Sequence, residues 1–249
     1  MSRRLRLDAE MVRRGLVSSR AEAGVAVDAK RVLVNGAIAE KTSRLVDPAD
    51  AVVITGDAPR FVSRGGEKLD RALDQFLIDV AGVEALDVGA STGGFTDCLL
   101  QRGAAFVVAL DVGHGQLHPR VRNSDRVQVI ERFNARAMTA ADLDVVPTLA
   151  VADVSFISLT KIIPPIVSVV APGGELVLLV KPQFEAGRQE VSKGQGIITD
   201  PAVHDRVRSE IETCLVDHEC VVLGWCDSPI TGGDGNREFL VHARTAAGI

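Results

Sequence analysis

The sequence predicts an α/β protein in which a small α+β unit precedes a seven-stranded, mostly parallel sheet with an antiparallel last strand. Short apolar runs alternate with helical segments from residue 84 onward, which is typical of a parallel sheet covered by helices. Residues 227–237 join the last two apolar runs, and this connection is too short for a crossover helix, so we expect an antiparallel pair. The first 60 residues carry instead two short helical patterns and a hairpin signal. We therefore expect two domains, 1–60 and 61–249.

The composition indicates a globular protein. Of the 249 residues, 46% are hydrophobic and 24% are charged, which excludes disordered and collagen-like classes. A membrane helix needs about 20 consecutive apolar residues, and the longest candidate, 162–170, is interrupted by Pro164 and Pro165. Residues 1–8 are basic, but no apolar stretch follows them. We therefore expect no secretory signal, no membrane partner and a cytoplasmic location.

The charge is distributed unevenly along the chain. The net charge is −5, which by itself argues against a nucleic-acid-binding protein. Residues 1–62 nevertheless hold 11 basic and 8 acidic residues, a charge of +3, while the remainder carries −8. If the protein binds a nucleic acid, we expect the N-terminal unit to supply most of the phosphate contacts.

The N-terminal unit is predicted to contain two helices and a hairpin. Apolar residues recur at helical spacing over 8–15, and Ser19 begins a capping box that opens a second helix. The pair Asn35-Gly36 is a strong signal for a tight turn. Strand-like runs cover 31–34 and 51–54.

The second unit is predicted to alternate strands with helices. Seven apolar runs are predicted as strands: 85–88, 106–110, 127–130, 148–152, 176–180, 220–226 and 238–243. Four segments are predicted as helices: 66–77, 95–102, 156–162 and 202–216. Residues 184–199 are rich in glycine, and we expect them to form a long loop beside the site, with an ordinary surface loop as the alternative.

A glycine-rich turn follows the first strand of the predicted sheet. It runs Asp87-Val-Gly-Ala-Ser-Thr-Gly-Gly-Phe95 and leads into a helix, so its small residues let the backbone approach a ligand closely. The spacing does not match G-x-G-x-x-G, and G-K-[ST] is absent, which disfavours a dinucleotide fingerprint and a P-loop. Asp111 closes the next strand. We interpret the turn as a cofactor loop, and glycines of an ordinary strand-to-helix connection are the alternative.

Four ionisable residues lie where an apolar core would not place them: Lys68, Asp153, Lys181 and Glu238. Ligands bind outside the carboxyl ends of parallel strands in open α/β sheets, and Asp153 and Lys181 end two such strands. Glu238 begins the antiparallel strand and therefore starts at the same edge. We expect these side chains to converge on one site, although a solvated strand end is as common a role for a lone lysine.

No pattern predicts a metal site. The four cysteines form no C-x-x-C pair, which favours free thiols in a reducing compartment. His114 and His118 could share a metal on a helix, but Gly113 and Gly115 disfavour a helix there.

Residues 7–36 resemble the S4-type RNA-binding domain, most specifically in the string Arg31-Val-Leu-Val-Asn-Gly36. Ala29-Lys30 stands where that module commonly has a glycine. The module presents two helices and a hairpin loop to structured RNA, so the resemblance implies that arginines of this unit contact phosphates. The residues predicted to contact RNA are Arg4, Arg6, Arg13, Arg14 and Arg20, with Arg64 and Lys193 beside the predicted site of the second unit.

The second unit is similar in topology to class I, Rossmann-like methyltransferases, and its four ionisable residues resemble the Lys-Asp-Lys-Glu tetrad of FtsJ-like ribose 2′-O-methyltransferases. The strings D-V-G-A-S-T-G-G-F-T-D, A-D-V-S-F-I-S-L, L-V-K-P-Q-F-E and G-N-R-E-F-L extend the likeness. With the S4-type unit, nearly the whole chain resembles the TlyA family, also called haemolysin A. The resemblance implies S-adenosylmethionine-dependent 2′-O-methylation of cytidine in 16S and/or 23S ribosomal RNA.

The same resemblance implies residue roles. Lys181 is the candidate base, since a nearby Lys68 disfavours a second positive charge, and Asp153 and Glu238 orient the lysines and the hydroxyl. The implied cofactor-binding residues are Asp87 near the ammonium group of the cofactor, Asp111 at its ribose, and Gly89, Ala90, Ser91, Thr92, Gly93, Gly94, Phe95 and Val112. His114 and Phe133 depart from the family pattern near the implied adenosine pocket.

Two other functions stay open at this point. One is an inactive RNA-binding or ribosome-assembly factor that keeps the fold, against which the complete tetrad and glycine loop argue. The other is a membrane-damaging haemolysin, against which the lack of an apolar span argues. In the RNA methyltransferase hypothesis, the loop 184–199 is a flap that faces the RNA. No pattern predicts an oligomeric state.

Overall fold

The structure is a computed structural model that describes residues 4–17, 19–56, 59–232 and 234–248, without the side chains of residues 21, 188 and 193. The chain divides into two compact units, Met1–Val62 and Ser63–Ile249. This division lies two residues after the boundary expected from the sequence. Within the described residues, no helix is long and apolar enough to cross a membrane.

The N-terminal unit contains two helices and five short strands in its described part. The elements are β1 (Leu5–Arg6), α1 (Leu7–Arg13), α2 (Arg20–Asp28), β2 (Val32–Val34), β3 (Ala37–Ile38), β4 (Leu45–Val46) and β5 (Val52–Ile54). Strand β2 pairs antiparallel with β3 and β5, and β1 pairs antiparallel with β4. Asn35 and Gly36 both have positive φ, at 52° and 82°, as the predicted tight turn requires. Ser19 accepts a hydrogen bond from the Glu22 amide and caps α2.

The second unit is built on a sheet of seven described strands in the order β8-β7-β6-β9-β10-β12-β11. The strands are β6 (Glu84–Val88), β7 (Phe106–Leu110), β8 (Val127–Ile130), β9 (Leu149–Ala152), β10 (Glu175–Val180), β11 (Val221–Asp227) and β12 (Phe239–Arg244). Strands β6 to β10 pair in parallel, and β12 runs antiparallel between β10 and β11. The predicted mostly parallel sheet with an antiparallel last strand is confirmed.

Seven described helices accompany this sheet. They are α3 (Gly65–Gln75), α4 (Gly94–Gln101), α5 (Pro119–Arg122), α6 (Ile163–Val169), α7 (Pro182–Glu185), α8 (Arg188–Lys193) and α9 (Pro201–Asp217). Helix α9 buries Val207, Ile211 and Leu215 in one core cluster with strands β9 and β10.

Two expectations for the helices are wrong. The helix predicted over 156–162 is a 3-10 turn at Leu159–Lys161, and α6 begins only afterwards. The prolines after Ile163 fill the first turn of α6, where their missing N–H groups cost no hydrogen bond, so they start a helix. The predicted loop over 184–199 contains α8, whose start is fixed because Glu190 accepts a hydrogen bond from the Gly187 amide at 3.0 Å.

Candidate active site

The sheet register brings five strand ends to one edge. Val180 pairs with Phe239, so the residues beyond them, Lys181 and Glu238, leave the sheet side by side. In the same way Ala152 lies beside Val88, and their successors Asp153 and Gly89 follow at the same edge. Asp111 succeeds Leu110, the partner of Val88. This is the convergence that the sequence predicted, and it follows from strand pairing alone.

Gly89 lies where a side chain would collide with the neighbouring strand end. Its φ is +86°, and a Cβ atom would lie 2.4 Å from the Asp153 carbonyl oxygen. Gly93 caps α4 with φ at 95°, again in the left-handed region. At Gly94 a Cβ would lie 2.2 Å from Ser63 Oγ and 2.9 Å from the Gly66 amide nitrogen. The glycines therefore let the loop, the end of β9 and the start of α3 approach one another closely.

Asp87 is fully buried at the end of β6. Thr96 on α4 donates a hydrogen bond to its Oδ2 at 2.6 Å, whereas Oδ1 is buried without a hydrogen-bond partner among the described residues. Burial raises the pKa of Asp87 to about 7; the Thr96 hydrogen bond opposes the rise and the negative charge of Asp153 adds to it. A buried carboxylate oxygen without a donor fits a cationic or hydrogen-bonding ligand.

Asp111 shapes the other side of the glycine loop. Its Oδ2 accepts a hydrogen bond from the Ser91 amide at 2.7 Å, and its Oδ1 accepts one from the Gly113 amide at 2.6 Å. A carboxylate has further lone pairs beyond these two bonds, so it can still accept hydrogen bonds from ligand hydroxyls.

Two clefts adjoin at this edge and share Gly89, Ser91 and Asp153 in their walls. The larger, about 560 Å³, has the size of a small-molecule site and extends past Asp111 and the exposed Val112. The smaller, about 250 Å³, includes further predicted residues: Arg64, Lys68, Ala90, Thr92, Gly94 and Phe95. The predicted cofactor loop therefore separates two adjoining spaces.

Lys68 lies on the buried face of α3 beside Leu69 and Ala72. Its Nζ donates a hydrogen bond to Glu238 Oε2 at 2.5 Å, and both side chains are buried. Gly232 stands close behind this carboxylate, since a Cβ there would lie 2.6 Å from Glu238 Oε1. The segment before β12 therefore holds Glu238 against α3.

Lys181 forms an ion pair with Asp153 and donates a hydrogen bond to Ser155 Oγ at 3.0 Å. Each of the two lysines thus faces its own carboxylate, Lys181 with Asp153 and Lys68 with Glu238. The expected influence of Lys68 on the charge of Lys181 stays a prediction.

Phe156 presents an exposed aromatic ring beside Phe184 of α7. The residue is 92% exposed and has φ at 63°, a strained backbone conformation for a bulky side chain. Its ring centroid lies 5.1 Å from that of Phe184. Phe184 belongs to α7, the helix that begins directly after Lys181. Glu185 accepts hydrogen bonds from Ser158 Oγ at 2.5 Å and from the Leu159 amide at 2.9 Å. The segment after β9 is therefore fastened to α7.

Sequence reasoning missed Ser155, Phe156 and Asn236. Asn236 is fully buried, accepts a hydrogen bond from the Ile198 amide and donates one to the Gly196 carbonyl, each at 2.9 Å. It thereby ties the segment before Glu238 to the connection after α8. Its place two residues before Glu238 was the available signal.

Two buried acids organise the arginines of the N-terminal unit. Arg6 and Arg20 form ion pairs with Asp8, at 2.9 and 2.8 Å, and both arginines remain about half exposed. Their hydrogen bonds, against the cost of burial, hold the pKa of Asp8 well below its usual range. Arg4 is exposed as well. Contact of these three arginines with RNA phosphates stays a prediction.

Arg13 and Arg14 differ although both bind Glu10. Arg13 keeps 55% of its side chain exposed, and its hydrogen bonds lead the lowering of the Glu10 pKa to about 2. Arg14 is 20% exposed and also donates hydrogen bonds to the backbone carbonyls of Asp50 and Pro48. Its guanidinium is therefore used within the unit. The side chain of Lys193 lies outside the described part of the structure.

Comparison with known proteins identifies both units. Residues 61–245 match the FtsJ-like methyltransferase family, and residues 5–52 match the S4 domain. The chain is 45% identical to the 16S/23S rRNA (cytidine-2′-O)-methyltransferase TlyA of Mycobacterium tuberculosis, over 98% of this chain and 91% of that protein.

Similar solved structures are consistent with these family and sequence matches. A protein named "Putative hemolysin" from Streptococcus thermophilus has a TM-score of 0.78 and 40% identity, covering 99% of this chain and 90% of that one. An S-adenosylmethionine-dependent methyltransferase from Mesorhizobium loti, with a TM-score of 0.51 and 16% identity over 70% of this chain and 96% of that one, shares the fold alone. The chain therefore belongs to the TlyA family, with an S4 domain followed by an FtsJ-like methyltransferase domain.

Proposed function

We propose that this protein transfers a methyl group from S-adenosylmethionine to the ribose 2′-hydroxyl of cytidine in 16S and/or 23S ribosomal RNA. One observation carries the proposal: the pairs Lys68–Glu238 and Lys181–Asp153 lie at the strand edge that also bears the glycine loop. The M. tuberculosis relative is named for this reaction.

The residues in and behind the wall of the larger cleft fit the proposed cofactor. Asp87 offers a buried carboxylate oxygen to which no described residue donates a hydrogen bond, Asp111 offers acceptors, and Gly89 allows close approach of a ligand. When bound, S-adenosylmethionine supplies a methyl group that is already activated by the sulfonium. The protein would hold its ammonium near Asp87 and its ribose at Asp111, with residues 89–95 and Val112 around it.

The protein then has to position the acceptor and remove a proton. A ribose hydroxyl is a weak nucleophile near pH 7, so orientation and proton transfer would supply most of the rate enhancement. Lys181 is the proposed base, Asp153 orients it, and Lys68 with Glu238 would hold the hydroxyl. The exposed ring of Phe156 offers a face on which a nucleobase can stack.

The S4 domain would dock the RNA through Arg4, Arg6, Arg13 and Arg20, and Arg64 would add a contact at the smaller cleft. Arg14 is left out of this set because its hydrogen bonds lie within the unit. With ribosomal RNA or ribosomal subunits as partner, the protein would act in the cytoplasm. Taking a helical cytidine out of its stack costs a few kcal/mol, which docking energy can offset.

The test is methyl transfer from labelled S-adenosylmethionine to separated ribosomal subunits from cells that lack this gene. We expect 2′-O-methylation of cytidine by the wild type and at least a 100-fold loss in Lys181→Ala, with cofactor affinity retained. Lys161→Ala, which removes an exposed lysine from the 3-10 turn, is the matched control and should keep full activity.

Two results would reject the proposal. Full activity in Lys181→Ala removes the assigned base. A wild type that binds RNA and cofactor but transfers no methyl group favours the inactive assembly factor instead.

A further inference from the structure

Ser155 lies between the larger cleft and the amine of Lys181. It is exposed, it lines that cleft, and its Oγ accepts the hydrogen bond from Lys181 Nζ at 3.0 Å. Lys181 itself is only 11% exposed. Two side chains that contact the Lys181 amine therefore line the larger cleft, the carboxylate of Asp153 and the neutral hydroxyl of Ser155.

The two acceptors around Lys181 restrict the direction of its nitrogen. An uncharged amine nitrogen has one bond to Cε, two N–H bonds and a lone pair in roughly tetrahedral directions. Ser155 Oγ takes one N–H as a hydrogen bond, whereas Asp153 Oδ1 holds the nitrogen as an ion pair. The directional hydrogen bond to Ser155 restricts rotation about the Cε–Nζ bond and with it the direction of the lone pair, whereas the ion pair with Asp153 alone would leave that rotation free.

The segment that carries Ser155 is itself fixed. Three residues later, Ser158 Oγ donates to Glu185 on α7, the helix that begins directly after Lys181. The adjacent Phe156 packs on Phe184 of the same helix. Ser155 and Lys181 are therefore held at a constant separation by contacts that involve neither of them.

We propose that Ser155 is a positioning residue for methyl transfer: its Oγ fixes the rotation of the Lys181 amine so that the lone pair faces the acceptor hydroxyl. This inference rests on the proposed function and adds a fifth residue to the two lysine–carboxylate pairs.

The first experiment compares Ser155→Ala with Ser155→Thr in the full-length protein. Loss of one hydrogen bond to a charged or catalytic group predicts a kcat lower by roughly tenfold or more in Ser155→Ala, with unchanged KM for ribosomal subunits and unchanged cofactor Kd. Ser155→Thr keeps the oxygen and should recover most of the lost kcat. Ser168→Ala removes an exposed serine of α6 and should behave as wild type.

The second experiment reads the amine directly by NMR of protein labelled with 13C at the lysine ε-carbons, with signals assigned through Lys181→Arg and Lys68→Arg. We expect Ser155→Ala to shift or broaden the Lys181 signal and to leave the Lys68 signal in place, because Lys68 binds Glu238 instead.

The outcomes separate the two proposals. An unchanged kcat in Ser155→Ala, or a kcat that Ser155→Thr does not restore, overturns the positioning role. If the wild type methylates no RNA, the proposed function fails. The NMR signal of Lys181 then tests the contact with Ser155 by itself, and an unchanged signal in Ser155→Ala rejects the inference.

Discussion

Lys68 and Glu238 form a buried ion pair across 170 residues of sequence, with Nζ 2.5 Å from Oε2. Taking both charges out of water costs several kcal/mol per ion, and their attraction need not return more than that. An apolar pair could therefore fill the same space at little loss of stability. The ion pair is better explained by chemistry at the cleft, since Lys68 lines its wall.

If the ion pair serves chemistry, a variant that removes both charges should regain stability without regaining activity. Lys68→Met alone leaves the Glu238 carboxylate buried without its cation, so we expect a loss of about 3 to 5 kcal/mol in unfolding free energy. Lys68→Met/Glu238→Gln removes both charges and should regain most of that loss, while methyl transfer stays at least 100-fold down. Urea denaturation and labelled-methyl transfer measure the two effects. Activity that returns together with stability would assign the pair a purely structural role.

Asp87 predicts a pH dependence of stability in the unliganded protein. Its pKa rises from 3.8 to about 7 chiefly through burial, so between about pH 4 and 7 the folded state keeps a proton that the unfolded chain has released. The contribution of Asp87 is thus complete below about pH 4 and lost as the pH rises through 7. Relative to Asp87→Asn, the wild type should lose stability over this range and level off above it, in urea denaturation at each pH.

An exposed acid supplies the control for Asp87. Asp125→Asn removes an exposed carboxylate and should follow the wild-type curve. Parallel stability curves for wild type and Asp87→Asn would contradict the prediction.

Gly89 and Gly82 give a matched pair for the cofactor loop. Both have positive φ, 86° and 74°, but a Cβ at Gly89 would lie 2.4 Å from the Asp153 carbonyl oxygen, while nothing lies within 4 Å of one at Gly82. Gly82→Ala should cost about 1 to 2 kcal/mol of stability through backbone strain alone. Gly89→Ala adds a backbone collision in the cleft wall, so calorimetry should show at least a tenfold weaker affinity for S-adenosylmethionine. Equal affinities in the two variants would refute a close approach at Gly89.

Charged residues at strand ends were the part of the site that the sequence could predict. Lys181 and Glu238 could be predicted to converge because strand polarity sends their strand ends to one edge. The pairing partners could not be predicted, since a charge pattern does not say which carboxylate each lysine faces.

Neutral site residues gave no such signal. Ser155 and Asn236 carry no charge, and their roles come from contacts with Lys181 and with the Gly196 carbonyl, both distant in sequence. The helix predicted over 156–162 failed for a related reason. Helical spacing was visible there, but Phe156 has a positive φ that ordinary propensity does not predict.

The sequence predicted the same role, contact with RNA, for Arg13 and Arg14. The structure predicts different phenotypes for their alanine variants. Arg14→Ala loses hydrogen bonds to Glu10, Asp50 and Pro48, so we expect about 2 to 3 kcal/mol less protection from hydrogen exchange over α1. Arg13→Ala removes two hydrogen bonds to Glu10, but Arg14 still neutralises that carboxylate and keeps its bonds to the backbone, so α1 should lose less protection than in Arg14→Ala. The main effect of Arg13→Ala should be weaker binding to ribosomal subunits. The slope of log affinity against log salt concentration should be smaller by about one. If Arg14→Ala also lowers that slope while α1 keeps its protection, the guanidinium of Arg14 faces RNA and the assignment is wrong.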